Sequence, residues 1–315
     1  MQVNLAQAVA LLKSGEVVAI PTETVYGLAA DASNEAALRQ VYAIKQRPVD
    51  NPLIVHIADA GQVNNWAANF PPLAQKLAQA FWPGPFTLVL PAKESVSMIV
   101  RGNQPTVALR VPNHPIALQL LKQSGLALAA PSANKFTQLS PTTAAHVTAG
   151  LGEVIAVLDG GACKVGIEST IVSVEGADWR MLRRGMISEV AIEAVAGRPA
   201  LKNQQNLPKV PGQHQLHYAP KTPIKLFESR TELVNFAKTS QKRCAVLLIG
   251  EGVENGNLPS CNYINLPKEA AQVAERLYST LHAMDDLDTE LLLIEVPPNA
   301  PEWLAVLDRL TRAAH

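Results

Sequence analysis

Two cationic side chains, Lys45 and Arg47, stand two residues apart at the end of an apolar, helix-like segment, in the stretch KQRPVDNP (45–52). An arginine guanidinium donates two hydrogen bonds at once, so the pair suits a phosphate group. Cations near the carboxyl end of a helix also offset the helix dipole, by roughly 0.3–1 kcal/mol. Taken alone, the pair favours this helix-end interpretation, with Pro48 ending the helix, and a phosphate site needs further residues.

Two polar loops follow apolar strands. PTETVYGL (21–28) comes directly after EVVAIP, and PSAN (131–134) after LALAA. α/β folds place ligands in the loops at the ends of their strands. Thr24, Ser132 and Asn134 are therefore candidate ligand contacts. Ordinary turns, in which such side chains bond the local backbone, are the alternative.

Single polar residues elsewhere have two interpretations each. Asn51 and His56 could donate hydrogen bonds to a ligand near Lys45, although a lone histidine in an apolar strand is more often structural. Ser140 is predicted to be the N-cap of a helix with Pro141 at its first position, and a helix N-terminus suits a phosphate.

Two further motifs, GIESTIVSV and MLRRGMIS, contribute Ser169 and the adjacent Arg183 and Arg184, which could equally be strand hydroxyls and solvated charges. The sequence contains no Ser/His/Asp order, H-E-x-x-H motif or Walker loop.

The elements that carry these residues alternate between strand and helix. Asn4 is a plausible N-cap and Gly15 the residue beyond the first helix. The apolar spacing predicts helices over 4–13, 34–46, 60–67, 72–81, 114–123, 141–149 and SEVAIEAVAG. Strands are predicted at EVVAIP, LIVHI, FTLVL, TVALRV, LALAA, VIAVLDG, STIVSV and WRMLRR. Because several strands adjoin directly, residues 1–198 are predicted to form one α/β domain with a twisted, mixed, open sheet.

The remaining third of the chain has a simpler order. Residues 199–222 are polar and contain prolines, which indicates a linker. Residues 223–315 alternate between strands and helices and predict a small Rossmann-like α/β domain with a parallel sheet. Its GEGVENG does not have the glycine spacing of a dinucleotide-binding loop and is interpreted as a turn.

Composition limits the class of protein. At 315 residues the chain exceeds the usual size of one domain. Lys+Arg and Asp+Glu are both 27, so a formal net charge of zero argues against nucleic-acid binding as the main task. The three cysteines are far apart, which argues against a zinc or disulfide site. With no signal peptide and no membrane-length apolar run, the sequence predicts a cytoplasmic protein without membrane contact.

The motifs taken together are far more specific than any one of them. PTETVYGL, KxRP followed by NPLIVHI, PGPFTLVL, TVALRVP, PSAN, IESTIV and LRRG occur in this order. The first 198 residues therefore closely resemble the YrdC-like family, and PGQHQLHYAP resembles its two-domain members, the threonylcarbamoyl-AMP synthases. The resemblance implies a nucleotidyltransferase that converts L-threonine, bicarbonate and ATP into threonylcarbamoyl-AMP and pyrophosphate. The product serves the N6-threonylcarbamoyl modification of adenosine 37 in tRNA.

The resemblance also implies roles for individual residues. Lys45 and Arg47 match the family's catalytic KxR pair, and the linker is expected to act as a lid through its HYAP sequence. The implied ATP-binding residues are Lys45, Arg47, Asn51, Thr106, Ser132, Asn134, Ser140, Arg183 and Tyr218. The implied L-threonine-binding residues are Thr24, His56, Arg110 and Ser169, and Arg110 suits the threonine carboxylate.

Two departures from the family pattern stand out. KQR has glutamine where glycine is commoner, and LRRG replaces LRPG, which leaves open whether Arg183 or Arg184 faces the nucleotide. Motif position favours Arg183.

Mg²⁺ is expected to arrive with ATP, because no acidic cluster predicts a metal site of the protein's own. No tightly bound organic cofactor is expected, and the product is expected to pass to the machinery that transfers it to tRNA. The alternatives are a module that binds tRNA or double-stranded RNA, and carbamoyl-adenylate chemistry as in hydrogenase maturation proteins.

Overall fold

A computed structural model describes residues 1–202, 207–213, 217–250 and 261–315. It divides into two compact units. The first comprises Met1–Phe136 and Pro141–Gln213, and the second comprises Thr137–Ser140 and His214–His315. The boundaries predicted from sequence, 1–198, 199–222 and 223–315, stay a prediction. Most of GEGVENG, predicted to be a turn, lies outside the described residues.

The first unit alternates between strands and helices as predicted. Its helices are α1 Leu5–Lys13, α2 Glu35–Lys45, α3 Val63–Trp66, α4 Pro72–Phe81, α5 Met98–Arg101, α6 Pro115–Ser124, α7 Ala144–Leu151 and α8 Glu189–Ala196. Its strands are β1 Gln2–Val3, β2 Val18–Ile20, β3 Gly27–Asp31, β4 Ile54–His56, β5 Phe86–Pro91, β6 Thr106–Arg110, β7 Leu128–Ala129, β8 Ala156–Leu158, β9 Thr170–Glu175 and β10 Asp178–Arg183.

Within the described residues these ten strands form one sheet, in the order β1-β8-β2-β3-β7-β4-β6-β5-β9-β10. The sheet is mixed: β4 and β6 run parallel, whereas β4 and β7 are antiparallel. Parallel neighbours bring their carboxyl ends to the same edge, so the residues after β4 and β6 lie side by side. The mixed sheet confirms the predicted α/β fold.

Local sequence explains most helix starts. Asn4 caps α1 in a capping box with Gln7, and Asn34 caps α2 by accepting from the first-turn amides. Leu38 and Val41 of α2 are fully buried in the main core, on the face that periodicity predicts.

Several details differ from the prediction. The short β1, β3 and α5 were not predicted. α7 begins at Ala144 with Thr143 as its N-cap, so Ser140 is not a cap. The carbonyls of Pro141 and Thr142 instead accept from other loops, at Tyr26 and Cys163, and hold this segment out of the helix.

The second unit contains β11 Ile224–Phe227, α9 Arg230–Thr239, β12 Cys244–Ile249, β13 Asn262–Leu266, α10 Ala270–Asp285, β14 Leu291–Glu295 and α11 Leu304–Ala313. A 3₁₀ turn, Pro301–Trp303, precedes α11. The four described strands are all parallel, in the order β11-β14-β12-β13, which confirms the predicted parallel sheet. β12 is buried on both faces, as expected for a sheet covered by helices.

In the part of the chain that the structure describes, no helix is long and apolar enough to cross a membrane. The three cysteines are free.

Candidate active site

Arg110 and His56 lie at the adjoining carboxyl ends of β6 and β4, where they are paired in register. Both side chains are buried. Arg110 donates from Nη1 to the Thr24 hydroxyl at 3.0 Å and from Nε to the Gly84 carbonyl at 3.2 Å. The sheet thereby brings together three of the four residues that the resemblance implies for L-threonine.

The local electrostatics keep His56 neutral. Burial disfavours a charged imidazole, and the neighbouring Arg110 guanidinium adds like-charge repulsion. Together these lower the pKa of His56 to about 3. A neutral imidazole keeps an acceptor nitrogen as well as a donor, so His56 is suited to hydrogen bonding rather than to charge pairing.

Lys45 closes α2 and is almost completely buried, with 1% of its surface exposed. Its Nζ donates to the carbonyls of Ser132 at 2.5 Å and Asn134 at 2.6 Å. Burial and the nearby Arg47 charge place its pKa well below the usual lysine value. Lys45 therefore fixes the PSAN turn against the end of α2.

Arg47 is also buried and lies beside the same turn. Its Nη2 donates to the carbonyl of Pro52 at 3.0 Å, and its guanidinium carbon is 5.8 Å from the centre of the Phe136 ring. The chain reverses between the two cations because Gln46 adopts a left-handed conformation, with φ of 53°. The helix thus ends at Lys45 with Gln46 as its C-cap, before the predicted stop at Pro48 is reached. Glycine adopts this conformation readily, whereas a residue with a side chain is strained in it.

The PSAN turn is tied to the first polar loop as well. Ala133 donates its amide to the carbonyl of Tyr26, and Ser132 forms an isolated bridge with Gly27. The Asn134 side chain donates to the carbonyl of Lys135 at 2.8 Å. Two motifs that are more than a hundred residues apart in sequence are therefore neighbours in the sheet.

Ser169 and Arg183 form a second polar group. Arg183 donates from Nε to the Ser169 carbonyl and from Nη2 to its hydroxyl, both at 3.1 Å. The Ser169 hydroxyl is also 2.8 Å from that of Thr87. Arg183 further donates to the carbonyl of Pro211 at 3.0 Å. Arg184, in contrast, is 51% exposed and lies 3.9 Å from Glu189. Arg183 is thus the arginine that faces Ser169.

Four predicted residues remain. Asn51 accepts through its carbonyl from the Tyr42 hydroxyl at 2.9 Å, which fixes the loop after Arg47. Thr106 begins β6, at the opposite end of that strand from Arg110. Ser140 and Tyr218 belong to the second unit. There Tyr218 is buried, with its ring 5.8 Å from that of Tyr278 and 5.1 Å from the Arg309 guanidinium carbon.

Sequence reasoning missed two buried polar residues of this region. Thr87, in PGPFTLVL, contacts Ser169. Glu23, in PTETVYGL, lies 2.7 Å from Arg110 and is only 6% exposed. The signal for Glu23 was available, because it adjoins the candidate Thr24, but nothing local predicted an arginine partner from a distant strand.

Among the described residues no group of three or more His, Cys, Asp or Glu side chains is arranged to hold a metal ion. The polar groups found in this region are buried arginines, a lysine, hydroxyls and backbone carbonyls. Such a set suits anionic ligands with carboxylate and phosphate groups.

Comparison with known families agrees with this architecture. Residues 10–185 match the model of the Sua5, YciO and YrdC proteins, described as "Telomere recombination". Residues 184–315 match "Threonylcarbamoyl-AMP synthase, C-terminal domain". The fold and site therefore define a two-part α/β enzyme of the Sua5 type. The chain belongs to the threonylcarbamoyl-AMP synthase family.

Individual relatives match nearly the whole chain. It is 40% identical to the threonylcarbamoyl-AMP synthase of Bacillus subtilis, over 99% of this chain and 93% of the relative. It is 36% identical to that of Pyrococcus abyssi, over 98% and 93%. The crystal structure of P. abyssi Sua5 complexed with L-threonine superposes with a TM-score of 0.90 at 34% identity, covering 100% of this chain and 97% of that one.

Proposed function

We propose that this chain forms threonylcarbamoyl-AMP and pyrophosphate from L-threonine, bicarbonate and ATP, for the modification of adenosine 37 in tRNA. The observation that carries the proposal is the near full-length similarity to threonylcarbamoyl-AMP synthases, combined with the convergence of buried cations and hydroxyls in the first unit. The relative from P. abyssi has been crystallised with L-threonine, which supports the amino-acid substrate.

For L-threonine we assign Arg110 to the carboxylate, because a guanidinium matches a carboxylate with two parallel hydrogen bonds. Thr24 already accepts from Arg110 and sits beside that position. His56 is paired with Arg110 in register, and its neutral ring suits a hydroxyl or amine. Ser169 completes the proposed set from the neighbouring group.

For ATP we keep the residues implied by the family: Lys45, Arg47, Asn51, Thr106, Ser132, Asn134, Ser140, Arg183 and Tyr218. Arg47 and Arg183 would bind phosphate oxygens directly. Lys45 would act mainly by holding the turn that presents Ser132 and Asn134, since its ammonium bonds two carbonyls there. An anionic phosphate nearby also favours the charged form of Lys45.

The proposed reaction has two steps. The threonine amine combines with bicarbonate to give N-carboxy-threonine and water. A carboxylate oxygen of that adduct attacks the α-phosphorus of ATP, the bond to the β-phosphate oxygen breaks, and pyrophosphate leaves. Charge accumulates on phosphate oxygens, so catalysis rests on positioning and on electrostatic stabilisation by fixed cations. Mg²⁺ would arrive with ATP.

We further propose that residues 199–222 act as a lid over the nucleotide. Within the first unit, the carbonyl of Pro211 accepts from Arg183, Lys209 lies 3.2 Å from Asp50, and Val210 is buried beside Ile54. Truncation before Pro211 is expected to leave a folded first unit, checked by thermal unfolding, with impaired synthesis. Full activity of the folded truncated protein would remove the lid from the proposal.

We place the enzyme in the cytoplasm, with small-molecule substrates and no stable complex with nucleic acid. The zero net charge supports the absence of a stable nucleic-acid complex, because a protein that binds tRNA tightly usually carries a basic excess. The product would pass to a separate machinery that transfers it to tRNA.

The decisive experiment incubates the protein with ATP, bicarbonate and a panel of amino acids, and detects adenylates by mass spectrometry. A threonylcarbamoyl-adenylate that depends on both threonine and bicarbonate is expected. Turnover of ATP that ignores both, or salt-dependent tRNA binding without turnover, contradicts the proposal.

Arg47→Ala tests the phosphate assignment. Loss of its contact is expected to cost on the order of 2–4 kcal/mol of transition-state stabilisation, measured as the rate of pyrophosphate release. Arg39→Ala is the matched control, because it makes the same change in α2, the helix that precedes Arg47, at a side chain that is 67% exposed. Equal rates for the two variants would contradict the role of Arg47.

A further inference from the structure

Glu23 is a buried charged residue of the first unit that has been given no role so far. It follows β2 in the loop that also carries Thr24, and 94% of its surface is buried. Its Oε1 lies 2.7 Å from Nη2 of Arg110. This ion pair joins Glu23 to the residue proposed for the threonine carboxylate.

The ion pair is close but incomplete. Neither carboxylate oxygen of Glu23 makes a well-directed hydrogen bond within the described residues, and the same is true of Nη2 of Arg110. The guanidinium uses its other donors on Thr24 and Gly84. Removing a carboxylate from water is costly unless its lone pairs are satisfied by donors. A buried carboxylate in this state is suited to a ligand that brings a donor.

The missing partner has a defined chemistry. A ligand that faces both groups must offer an anion to Arg110 and a cationic donor to Glu23. These two ligand groups must be close together, because Glu23 and Arg110 are only 2.7 Å apart. An α-amino acid carries a carboxylate and an ammonium on the same carbon atom. Its carboxylate can therefore bind Arg110 while its ammonium binds Glu23, so that four charges of alternating sign lie next to one another.

We infer that Glu23 binds the α-ammonium group of the amino-acid substrate and thereby selects amino acids over simple hydroxy acids. This inference rests on the proposed function, because it takes L-threonine as the ligand of Arg110. Glu23 and Arg110 together bind the ammonium and the carboxylate of the zwitterion, while Thr24 and Ser169 remain available to the rest of the substrate. The Glu23 carboxylate also fixes the nitrogen, which must release one proton to solvent before it combines, as a free amine, with bicarbonate.

A purely structural role makes a different prediction. If Glu23 only orients Arg110, its loss weakens every carboxylate ligand alike. If Glu23 binds the ammonium, its loss weakens only ligands that carry one. Comparing L-threonine with 3-hydroxybutyrate, which keeps the carboxylate and hydroxyl but lacks the amine, separates the two roles.

The experiment measures binding of both ligands by calorimetry to the full chain, as wild type and as Glu23→Gln. Wild type is expected to prefer L-threonine strongly. Glu23→Gln should lose roughly 100-fold in threonine affinity, as expected when one partner of a buried charge pair is removed, and at most about threefold in 3-hydroxybutyrate affinity. Equal losses for both ligands, or no loss for threonine, would overturn the inference.

Glu175→Gln serves as the matched control, because it makes the same change at a carboxylate that is 81% exposed. It should bind both ligands as wild type does. If Glu23→Gln does not fold, judged by thermal unfolding, Glu23→Asp replaces it. The aspartate keeps the charge but is one methylene shorter, so it should bind threonine less tightly while still preferring it. Equal affinity for both ligands would overturn the inference.

The proposed function can fail separately. If wild type binds threonine and Glu23→Gln loses it selectively, but no adenylate forms with ATP and bicarbonate, the zwitterion site stands and the reaction is wrong. If wild type binds no threonine at all, the inference falls together with the proposed substrate.

Discussion

Each unit of this protein contains a close pair of arginine and glutamate, buried in the first unit and partly exposed in the second, and the two pairs are built differently. In the second unit, Arg230 donates from Nε and Nη2 to the two carboxylate oxygens of Glu295, at 2.9 and 2.7 Å. The Ile249 amide also donates to Glu295 at 2.8 Å. In the first unit, the Glu23–Arg110 contact of 2.7 Å is not aligned as a hydrogen bond.

The difference in hydrogen-bond geometry gives a criterion for distinguishing charged pairs that stabilise the fold from charged pairs that bind a ligand. A bidentate pair that also binds the backbone satisfies most of its own lone pairs, so it stabilises the sheet end on which it lies. A buried pair with free lone pairs costs stability, and such costs are typical of sites that complete themselves with a ligand. We therefore expect the same two residue types to serve the fold in the second unit and, as proposed above, ligand binding in the first.

The largest expected effect comes from removing the arginine of the first pair. Arg110→Met should reduce kcat/KM for L-threonine by roughly 1,000-fold, about 4 kcal/mol, because the substrate carboxylate loses its charged partner in a buried site. The rate of threonylcarbamoyl-AMP formation at varied threonine concentration measures it.

Arg230→Met is the matched change in the second unit. It should lower the free energy of unfolding by about 2 kcal/mol, measured in urea, because Glu295 loses its charged donor. Its kcat/KM should stay within about threefold of wild type. A loss of activity similar to that of Arg110→Met would mean that the two pairs do not differ in function.

A second test concerns the close packing of Gly185, in the LRRG turn, against the backbone around Ser169. A Cβ on Gly185 would stand 2.4 Å from the Thr170 amide nitrogen and 2.7 Å from the Glu168 carbonyl oxygen, both backbone atoms. Gly185→Ala should therefore lower the free energy of unfolding by about 3 kcal/mol. Gly150→Ala, in α7 with open space around it, should raise it by roughly 0.5 kcal/mol. Equal effects in urea denaturation would show that the LRRG turn is not tightly packed.

The third test uses the low pKa of His56, about 3 instead of 6.5. Between these values the unfolded chain binds one more proton than the folded one. Stability should therefore fall as the pH decreases through this window, by about 1.4 kcal/mol per pH unit from this group. His56→Gln cannot take up the proton, so its stability should depend less on pH. An unchanged slope in urea titrations from pH 6.5 to 4 would contradict a buried neutral imidazole.

The smallest expected effect concerns the turn between Lys45 and Arg47. Gln46 has a φ of 53°, which costs a side-chain-bearing residue roughly 1 kcal/mol, so Gln46→Gly should stabilise the protein by about that amount. Asn103 has a φ of 63°, but asparagine tolerates this conformation, so Asn103→Gly should change stability by less. Thermal unfolding of the two variants compares them, and a larger gain at Asn103 would contradict the strain at Gln46.

Much of the fold could be predicted because its signals are local. The helices α1, α2 and α4 follow from apolar spacing, and α1 also from its predicted N-cap Asn4. The N-cap at Ser140 was wrong because tertiary contacts at Pro141 and Thr142 hold that segment out of the helix. The short β1 and β3 were missed because two to five residues carry too little periodicity to predict a strand.

The sequence by itself determined the α/β class, the parallel sheet of the second unit and the family, because element periodicity and motif order are properties of the chain. It could not decide which charged residues face one another. Lys45 is buried against Ser132 and Asn134, and Glu23 lies against Arg110, only because the sheet brings distant loops together. Only the tertiary structure decided that Arg183 rather than Arg184 faces Ser169, since burial and partners depend on packing and not on spacing.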